Sequence, residues 1–545
     1  LLKTLHYYIS RDLAKAAVLA MSAFTLLVTV IAIIEPLRKR GLEIGQVLSL
    51  FVYTVPMVGS FTLPIAALLA ATIVYGRFAQ DNELMACRAS GISTFALLRP
   101  ALVLGAMVTV ATLAISNMVA PHMAELVEKN IKANIRGIFY NQLHTRGYAR
   151  HGNILIHADH AEAKRDSMYG VVLVQVGKAG SATIGSARSA RLEFVEHEGD
   201  TYVWAHSTES VGAFGNVGGR LVVDQQARAG SLPVESFKLP NVAKESPAFY
   251  DWSQLLTTLA DPSRNQQVRG RLLKIGRRIR HDRLAREIAS SVRAGRPYEE
   301  LRDAEGVLYR LEAERASLGE EEVFLGYEGR APDEKPGVRV SVIENGRVRE
   351  TFTADRAWVR ATYSPYSDES TVQIELSGRV VQKSGPADDL PNRRTEWNII
   401  GLRLPRSIQA EADRISLQDI YHNVQAITPS KAIRKEIDGV KEFVIRSLIG
   451  EIKAEMHSRI AFGVSCFLLV ALGAALGLLL RGGNFISAFA IAMAPAGVVI
   501  LLTLMGKEMA SNPDSPQGVG LACIWSGLGL LAVLNAVVYM RLLRR

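Results

Sequence analysis

Tyr75-Gly-Arg-Phe-Ala-Gln-Asp-Asn-Glu-Leu-Met-Ala-Cys-Arg-Ala-Ser-Gly-Ile-Ser93 decides the reading of this chain. It lies between two long apolar segments, about 46–75 and 97–120, so both of its ends lead into a membrane. Between them the sequence predicts a short polar helix over about 77–93. Asp81 or Asn82 is able to cap it and Gly91 is able to end it. A turn between two spans needs only a few polar residues, so a charged amphipathic helix in this place points to docking with a partner. The plainer alternative is an ordinary charged loop.

The composition fits a chain divided between bilayer and water. Of 545 residues 48% are hydrophobic, yet 21% are charged and the mean hydropathy is only +0.13. The cysteines are Cys87, Cys466 and Cys523. None lies in the long polar middle, which excludes a disulfide framework there. No Cys/His cluster has zinc spacing, so no metal site is expected. His151, His157 and His160 fall on a strand-and-turn pattern and read as solvated or edge residues. The net charge of +10 suits a membrane protein among anionic headgroups. There is no base-reading motif, and the basic residues are not interleaved with stacking aromatics, so nucleic acid is not an expected partner.

Six apolar stretches approach the roughly 20 residues needed to cross a bilayer. They lie near 13–35, 50–75, 97–120, 459–480, 485–506 and 519–540, three before and three after a long extramembrane region. A cytoplasmic N-terminus puts Lys3, Arg11, Lys15, Arg77, Arg88, Arg99, Arg481, Arg541, Arg544 and Arg545 at the inner face. Only Arg38, Lys39, Arg40 and Lys507 then fall in short outer loops. That bias predicts both termini inside and the middle domain outside, in the periplasm. Pro56, Pro64 and Pro495 sit within spans, where neighbouring helices satisfy the backbone groups they free. Gly473-Ala-Ala-Leu-Gly477 is a GxxxG, read as close intramolecular helix packing. No carboxylate pair lies deep in a span, which argues against a proton-driven pump.

The middle domain has two textures. Residues 150–240 and 337–404 read as short strands separated by Gly, Ser and Asp, among them 154–156, 170–176, 191–195, 201–204, 372–376 and 379–382. Such alternation suggests a sandwich or jelly roll. Residues 264–320 are strongly charged. Val268, Leu272, Ile275 and Ile279 recur at helical spacing, as do Leu301, Ala304, Leu308 and Leu311, with Gly295-Arg-Pro297 between them. This predicts an inserted, protruding helical hairpin over about 262–322, whose removal leaves the β-structure folded. Arg269, Arg271, Lys274, Arg277, Arg278, Arg280, Arg283 and Arg286 give its first half a basic face, read as solvated or as meeting lipid phosphates or an acidic partner.

Two motifs carry a family resemblance. The core 82–93, Asn-Glu-Leu-Met-Ala-Cys-Arg-Ala-Ser-Gly-Ile-Ser, closely resembles the cytoplasmic coupling helix of the LptF/LptG (YjgP/YjgQ) permeases, which extract lipopolysaccharide from the inner membrane. Glu451-Ile-Lys-Ala-Glu-Met-His-Ser-Arg-Ile-Ala461 is similar to the Glu-x-His-x-Arg-x-Ala signature that opens the family's fourth span. Glu455, His457, Arg459 and Ala461 match it, while the proline that often follows is absent. Leu476-Gly-Leu-Leu-Leu-Arg-Gly-Gly483 also resembles the family's inner turn. The chain is longer than is usual for the family, the surplus lying in the outer domain.

The resemblance implies an α-helical membrane protein with six transmembrane helices (3+3) and a large periplasmic β-jellyroll-like domain. The expected divisions are 1–121, 122–457 and 458–545. It implies a transporter subunit rather than an enzyme, with no cofactor. Its implied partners are a second LptF/LptG-type permease subunit, a cytoplasmic LptB-like ABC ATPase dimer, a periplasmic LptC/LptA-like jellyroll bridge and a membrane lipid. Asp81, Asn82, Glu83, Leu84, Arg88, Ser90 and Gly91 are the residues it assigns to ATPase coupling. Arg38, Lys39 and Arg40 lie where the family's basic residues meet lipid phosphates; ordinary interfacial anchoring is the alternative. No Gly-x-x-x-x-Gly-Lys-[Ser/Thr] loop occurs, so the energy must come from a partner. The competing reading is a mechanotransmitting or scaffold protein of the envelope acting on a non-lipid partner. The three-plus-three order argues against the first of these, and the lack of a long inner segment against the second.

Overall fold

The computed structural model describes residues 2–40, 44–151, 154–162, 167–176, 182–197, 200–217, 220–224, 237–239, 246–319, 322–326, 336–364, 369–384, 392–408, 428–479 and 485–544. In chain order the helices are α1 (Leu2–Arg40), α2 (Ile44–Gln80), α3 (Glu83–Ala89), α4 (Thr94–Ala114), α5 (Ala120–Arg146), α6 (Trp252–Ala260) and α7 (Gln266–Arg293). There follow α8 (Lys431–Glu442), α9 (Ile449–Leu479), α10 (Phe485–Ser511) and α11 (Gln517–Arg544). π-Helical segments at Ile115–Val119 and Phe443–Leu448 precede α5 and α9. The strands are β1 (Tyr148–His151), β2 (Ile154–Glu162), β3 (Ser167–Val176), β4 (Ala182–His197), β5 (Asp200–Val217), β6 (Arg220–Asp224), β7 (Phe237–Leu239) and β8 (Tyr298–Arg302). They continue as β9 (Leu308–Ala313), β10 (Ala316–Leu318), β11 (Glu322–Gly326), β12 (Val338–Glu344), β13 (Arg347–Ala354), β14 (Arg356–Ser364), β15 (Glu369–Ser384) and β16 (Asn392–Arg403). Two compact units result, 1–262 with 443–545, and 263–442.

The first unit contains the membrane helices. Among the described residues, six helices are long and apolar enough to cross a bilayer: Leu2–Ala32, Val58–Gln80, Thr94–Lys129, Lys431–Leu479, Ser487–Ser511 and Gln517–Arg544. They coincide with the six apolar stretches of the sequence. α9 is central, packed on α2, α4, α10 and α11, with Cys466, Val470, Leu472, Ala474 and Ala475 wholly buried. The GxxxG faces α2: a Cβ on Gly473 would stand 2.7 Å from Leu68 Cδ1, and one on Gly477 would stand 3.0 Å from the Thr72 carbonyl oxygen. Only glycine allows that approach, and the contact is intramolecular. Intramembrane polar groups are met across helices. Tyr75 Oη donates to the Leu97 carbonyl at 2.8 Å, and Asn535 Nδ2 to the Leu468 carbonyl at 3.1 Å.

Beyond the spans, α5 leads into an antiparallel seven-stranded sheet of order β1-β2-β3-β4-β5-β6, with β7 also on β5. Tyr140 and Leu143 of α5 pack on Ile156, Ala158, Met168 and Val171 of β2 (Ile154–Glu162) and β3 (Ser167–Val176). His157 and His160 are exposed, as the strand pattern predicts.

The second unit is an antiparallel sheet of order β10-β11-β14-β15-β13-β12-β9-β8-β16, in which β16 (Asn392–Arg403) also pairs with β15 (Glu369–Ser384). The strands β15-β13-β12-β9-β8-β16 therefore close into a ring, and Val340, Ile374, Leu376 and Leu402 fill its core. Here the predicted hairpin is corrected. Its first half is one helix, α7, but its second half is the strands β8 (Tyr298–Arg302) and β9 (Leu308–Ala313). A register shift between Tyr298 and Leu301 puts both side chains inward, giving the burial pattern of a bulge. The spacing of Leu301, Ala304, Leu308 and Leu311 that reads as helical is instead a β-hairpin, with Ala304 in its turn and Leu308 and Leu311 on the returning strand. Nor does the segment protrude. Leu284, Ile288, Ala289 and Val292 of α7 belong to the same core as the strands. Much of the basic face is spent internally. Arg278 pairs with Glu436 of α8 at 2.7 Å, Arg286 with Asp282 at 2.8 Å, and Arg277 stacks over the Tyr363 ring.

Candidate functional site

Two sites lie at opposite ends of the helical bundle. At one end the chain turns from α2 through α3 into α4. The predicted stretch 77–93 divides there: Arg77 and Phe78 still belong to α2, and α3 is only seven residues long. Leu84 is buried in the bundle core beside Tyr75, Phe78 and Leu97. One turn later, Arg88 donates to Thr94 Oγ1 at 2.9 Å. These two contacts fix one face of α3 and leave Met85, Ala86, Ala89 and Ser90 on the other, exposed. Ser90 Oγ turns back to the Ala86 carbonyl at 2.9 Å.

The ends of α3 obey the sequence unequally. Gly91 has φ +77°, and the amides of Gly91 and Ile92 donate to the carbonyls of Arg88 and Cys87, each at 3.0 Å. That is a Schellman stop, as the glycine predicts. The N-terminal cap is different. Asn82 occupies the position, but with φ 60° and without a side-chain cap. The backbone reverses so tightly after α2 that Asn82 is used for its tolerance of left-handed geometry rather than for its amide. Asp81 and Asn82 are exposed and Glu83 is half-buried. Burial first, then the charges of Asp81 and Asp12, push the Glu83 carboxyl above its ordinary range.

Arg38, Lys39 and Arg40 form the last residues of α1. Their side chains lie outside the described residues.

The second site surrounds Arg459, where α4 ends and α9 begins. Glu455 and Arg459 are both buried and pair at 2.8 Å across one helical turn. Lys507 of α10 meets the other carboxylate oxygen of Glu455. Arg459 Nη1 donates to Asn117 Oδ1 at 3.2 Å and to the Tyr250 carbonyl at 2.8 Å, and Nη2 donates to the Ala248 carbonyl at 3.0 Å. His457 stands apart from this network and accepts at Nδ1 from Trp525 Nε1 at 3.2 Å. A cleft of about 470 Å³ opens beside Asn117 and the start of α6, lined also by Met118, Pro121, His122, Trp252 and Gln254 among others.

The sequence picked out Glu455, His457 and Arg459, and the structure joins the first and last of these. It did not pick out Asn117, Lys507 or the strap 246–251. A polar residue and a lone cation near the ends of apolar spans were the available signals for the first two. The strap gives no such signal, because it contributes backbone carbonyls.

No individual curated protein matches the chain. The family described as Lipopolysaccharide export system permease LptF/LptG matches residues 7–244 and 319–541, most of the sequence. The matched residues include α3, nearly all of the six spans and Asn117, Glu455, Arg459 and Lys507 of the Arg459 cluster; the unmatched interval 245–318 contains the strap, whose carbonyls Arg459 meets, and α7. With six membrane helices and a β-rich extramembrane region, the chain belongs to the LptF/LptG family of lipopolysaccharide-export permeases and is a multi-pass inner-membrane transporter component rather than a catalytic enzyme.

Proposed function

We propose that this chain is one of two permease subunits of an ABC exporter that draws lipopolysaccharide, or a related envelope lipid, out of the inner membrane. The observation that carries this reading is the arrangement of α3. Leu84 and Arg88 hold it rigidly on the bundle, while Met85, Ala86, Ala89 and Ser90 face outward. A short helix fixed on one side and open on the other suits transmission of force from a docked protein. The partner is a cytoplasmic LptB-like ATPase dimer, both termini are cytoplasmic, and residues 122–457 are mainly periplasmic. A second LptF/LptG-type subunit completes the lipid cavity, and an LptC/LptA-like bridge receives the lipid.

Extraction must offset removal of several acyl chains from hydrocarbon, at roughly 0.8 kcal/mol per methylene. A continuous apolar path avoids most of that cost. The ring of the second unit is filled by its own side chains, so we assign acyl transit to the β1–β7 sheet and a scaffolding role to the ring. Affinity purification of the tagged chain from native membranes tests the reading. An ATP-binding subunit and a second six-span permease are expected in stoichiometric amounts. Recovery of the intact chain with neither would overturn it.

A further inference from the structure

The Arg459 cluster serves no step of the function so far. A buried ion pair is poor evidence of stability, since well-packed apolar residues would hold the same helices together at least as well. What a guanidinium adds is direction. Its planar fork offers five donors in fixed geometry, and here four hydrogen bonds reach three separate pieces of chain: Glu455 on α9, Asn117 in the π-helical turn 115–119, and the carbonyls of Ala248 and Tyr250.

Those two carbonyls belong to a strap that is rigid in its own right. The amides of Phe249 and Tyr250 donate to the carbonyls of Ser246 and Pro247, each at 3.1 Å. Asp251 and Gln254 then form a reciprocal capping box that starts α6. Ser246 Oγ also donates to Glu451 Oε1 at 3.3 Å. Glu451, Glu455 and Arg459 are spaced four apart, so they form one stripe along α9.

The opposite end of α9 is locked differently. Gly473 and Gly477 press against Leu68, Thr72 and Gly76 of α2, the helix that turns into α3. From Gly477 to Arg459 is about 27 Å along the helix axis at 1.5 Å per residue. A single, largely buried helix therefore joins the α3 end of the bundle to the strap. Both π-helical segments lie at the strap end, and each is gripped by a side chain from another helix. Arg459 holds Asn117, and Gln517 Nε2 donates to the carbonyls of Ile445 and Arg446 at 2.9 and 3.2 Å. π-Bulges are frequent at functional points of helices.

We infer that Arg459 is a positioning residue of the permease: it clamps the strap 246–251 and the turn 115–119 to α9, so that displacement of α9 at the α3 end is delivered to the segment beyond the membrane. The inference rests on the permease reading above, and its test separates the two.

The full-length chain in lipid nanodiscs, as wild type, Arg459→Lys and Arg459→Gln, is followed by hydrogen exchange. Amides of Phe249, Tyr250, Asp251 and Gln254 are expected to exchange about tenfold faster in both variants, with α2 and the far half of α9 unchanged. Lysine keeps the charge but has one point of attachment, so it does not rescue. In cells depleted of their own copy, both variants are expected to reach the membrane, yet deliver at least about tenfold less lipopolysaccharide while ATP hydrolysis by the purified complex continues. Covalent repair supplies the last arm. With Cys87, Cys466 and Cys523 replaced by Ala, a short bis-maleimide joining Ser246→Cys to Glu451→Cys is expected to restore delivery in the Arg459→Lys chain. Unchanged exchange in the strap would overturn the clamp. So would full delivery by Arg459→Lys, including the case in which Arg459→Gln fails to insert, or no repair by the crosslink. If the wild-type chain itself does not restore export, the permease reading fails, and the exchange arm still reports on the clamp.

Discussion

Gly477 of α9 lies directly against Gly76 of α2, so that a Cβ on Gly477 would stand 3.0 Å from the Gly76 amide nitrogen. The Thr72 carbonyl oxygen is equally close, and neither backbone group can move aside. This places a backbone-to-backbone helix contact within about one turn of the exit from α2 toward α3.

Gly477→Val is therefore expected to destabilise the bundle by about 1–3 kcal/mol through overpacking. Thermal unfolding of the detergent-solubilised full chain measures it. Gly497→Ala on α10 is the control, because nothing lies within 4 Å of the Cβ it adds. Equal melting of the two variants would remove the α2–α9 contact from any account of rigidity.

The spans were legible because bilayer thickness imposes a length that few other structures imitate. The Schellman stop at Gly91 was legible for a similar reason, since few residues adopt its φ. Two features were not. Leu301 and Leu308 carried a helical spacing that a tight β-hairpin produces just as well, and only the cross-strand pairing of Leu301 with Tyr309 and of Tyr298 with Leu311 distinguishes them. The strap at Ala248 and Tyr250 acts through carbonyls, which every sequence possesses. The side chains of the family motif were visible, but their acceptors were not.

The merging of α7 into the ring reverses the expectation that this segment is dispensable. Ile288 is fully buried among strand residues, and Ile288→Ala is expected to cost about 2–5 kcal/mol. Deleting about 262–322 also removes β8 and β9, which opens the ring. Limited proteolysis of the deleted chain is expected to degrade 323–408 rapidly while the spans persist. A protease-resistant β-fragment after deletion would restore the protruding-insert description.

Glu287 supplies a pH test in the same unit. Burial raises its carboxyl above the ordinary value of 4.5, and Tyr298 Oη donates to it at 3.3 Å. A raised carboxyl favours the fold when protonated. That contribution is complete below the unfolded value and is lost as pH rises through the folded one. Glu287→Gln keeps an acceptor for Tyr298 without the charge. It is expected to raise the melting temperature of this unit at about pH 7.5 and to have little effect at about pH 4. The opposite ordering would mean that the charged form is stabilised in place.

On α3, Glu83→Lys and Arg88→Glu test docking from two directions. Arg88 braces the helix through Thr94, whereas the raised carboxyl of Glu83 is set among other acids. Both variants are expected to insert normally. Each should reduce recovery of the ATP-binding subunit at least about tenfold, the scale of losing one charge-assisted contact. Full recovery and full lipid release with both reversed charges would take α3 out of the coupling route.

The proposed lipid entry rests on the end of α1. Arg38, Lys39 and Arg40 close that helix, and they are three consecutive cations beside the end of an apolar span. Phosphate groups of an anionic lipid attract such a cluster through charge-assisted hydrogen bonds, while simple anchoring at the interface needs only one or two basic residues. The two roles differ in what they retain. Replacing all three by Gln is expected to leave insertion intact, because α1 keeps its long apolar run. Photocrosslinking from neighbouring positions on α1 should then capture at least about threefold less lipopolysaccharide, with neutral phospholipid capture unchanged. Loss of both crosslinks together would indicate a shift of the helix in the bilayer, and undiminished lipopolysaccharide capture would exclude the cluster from the lipid path.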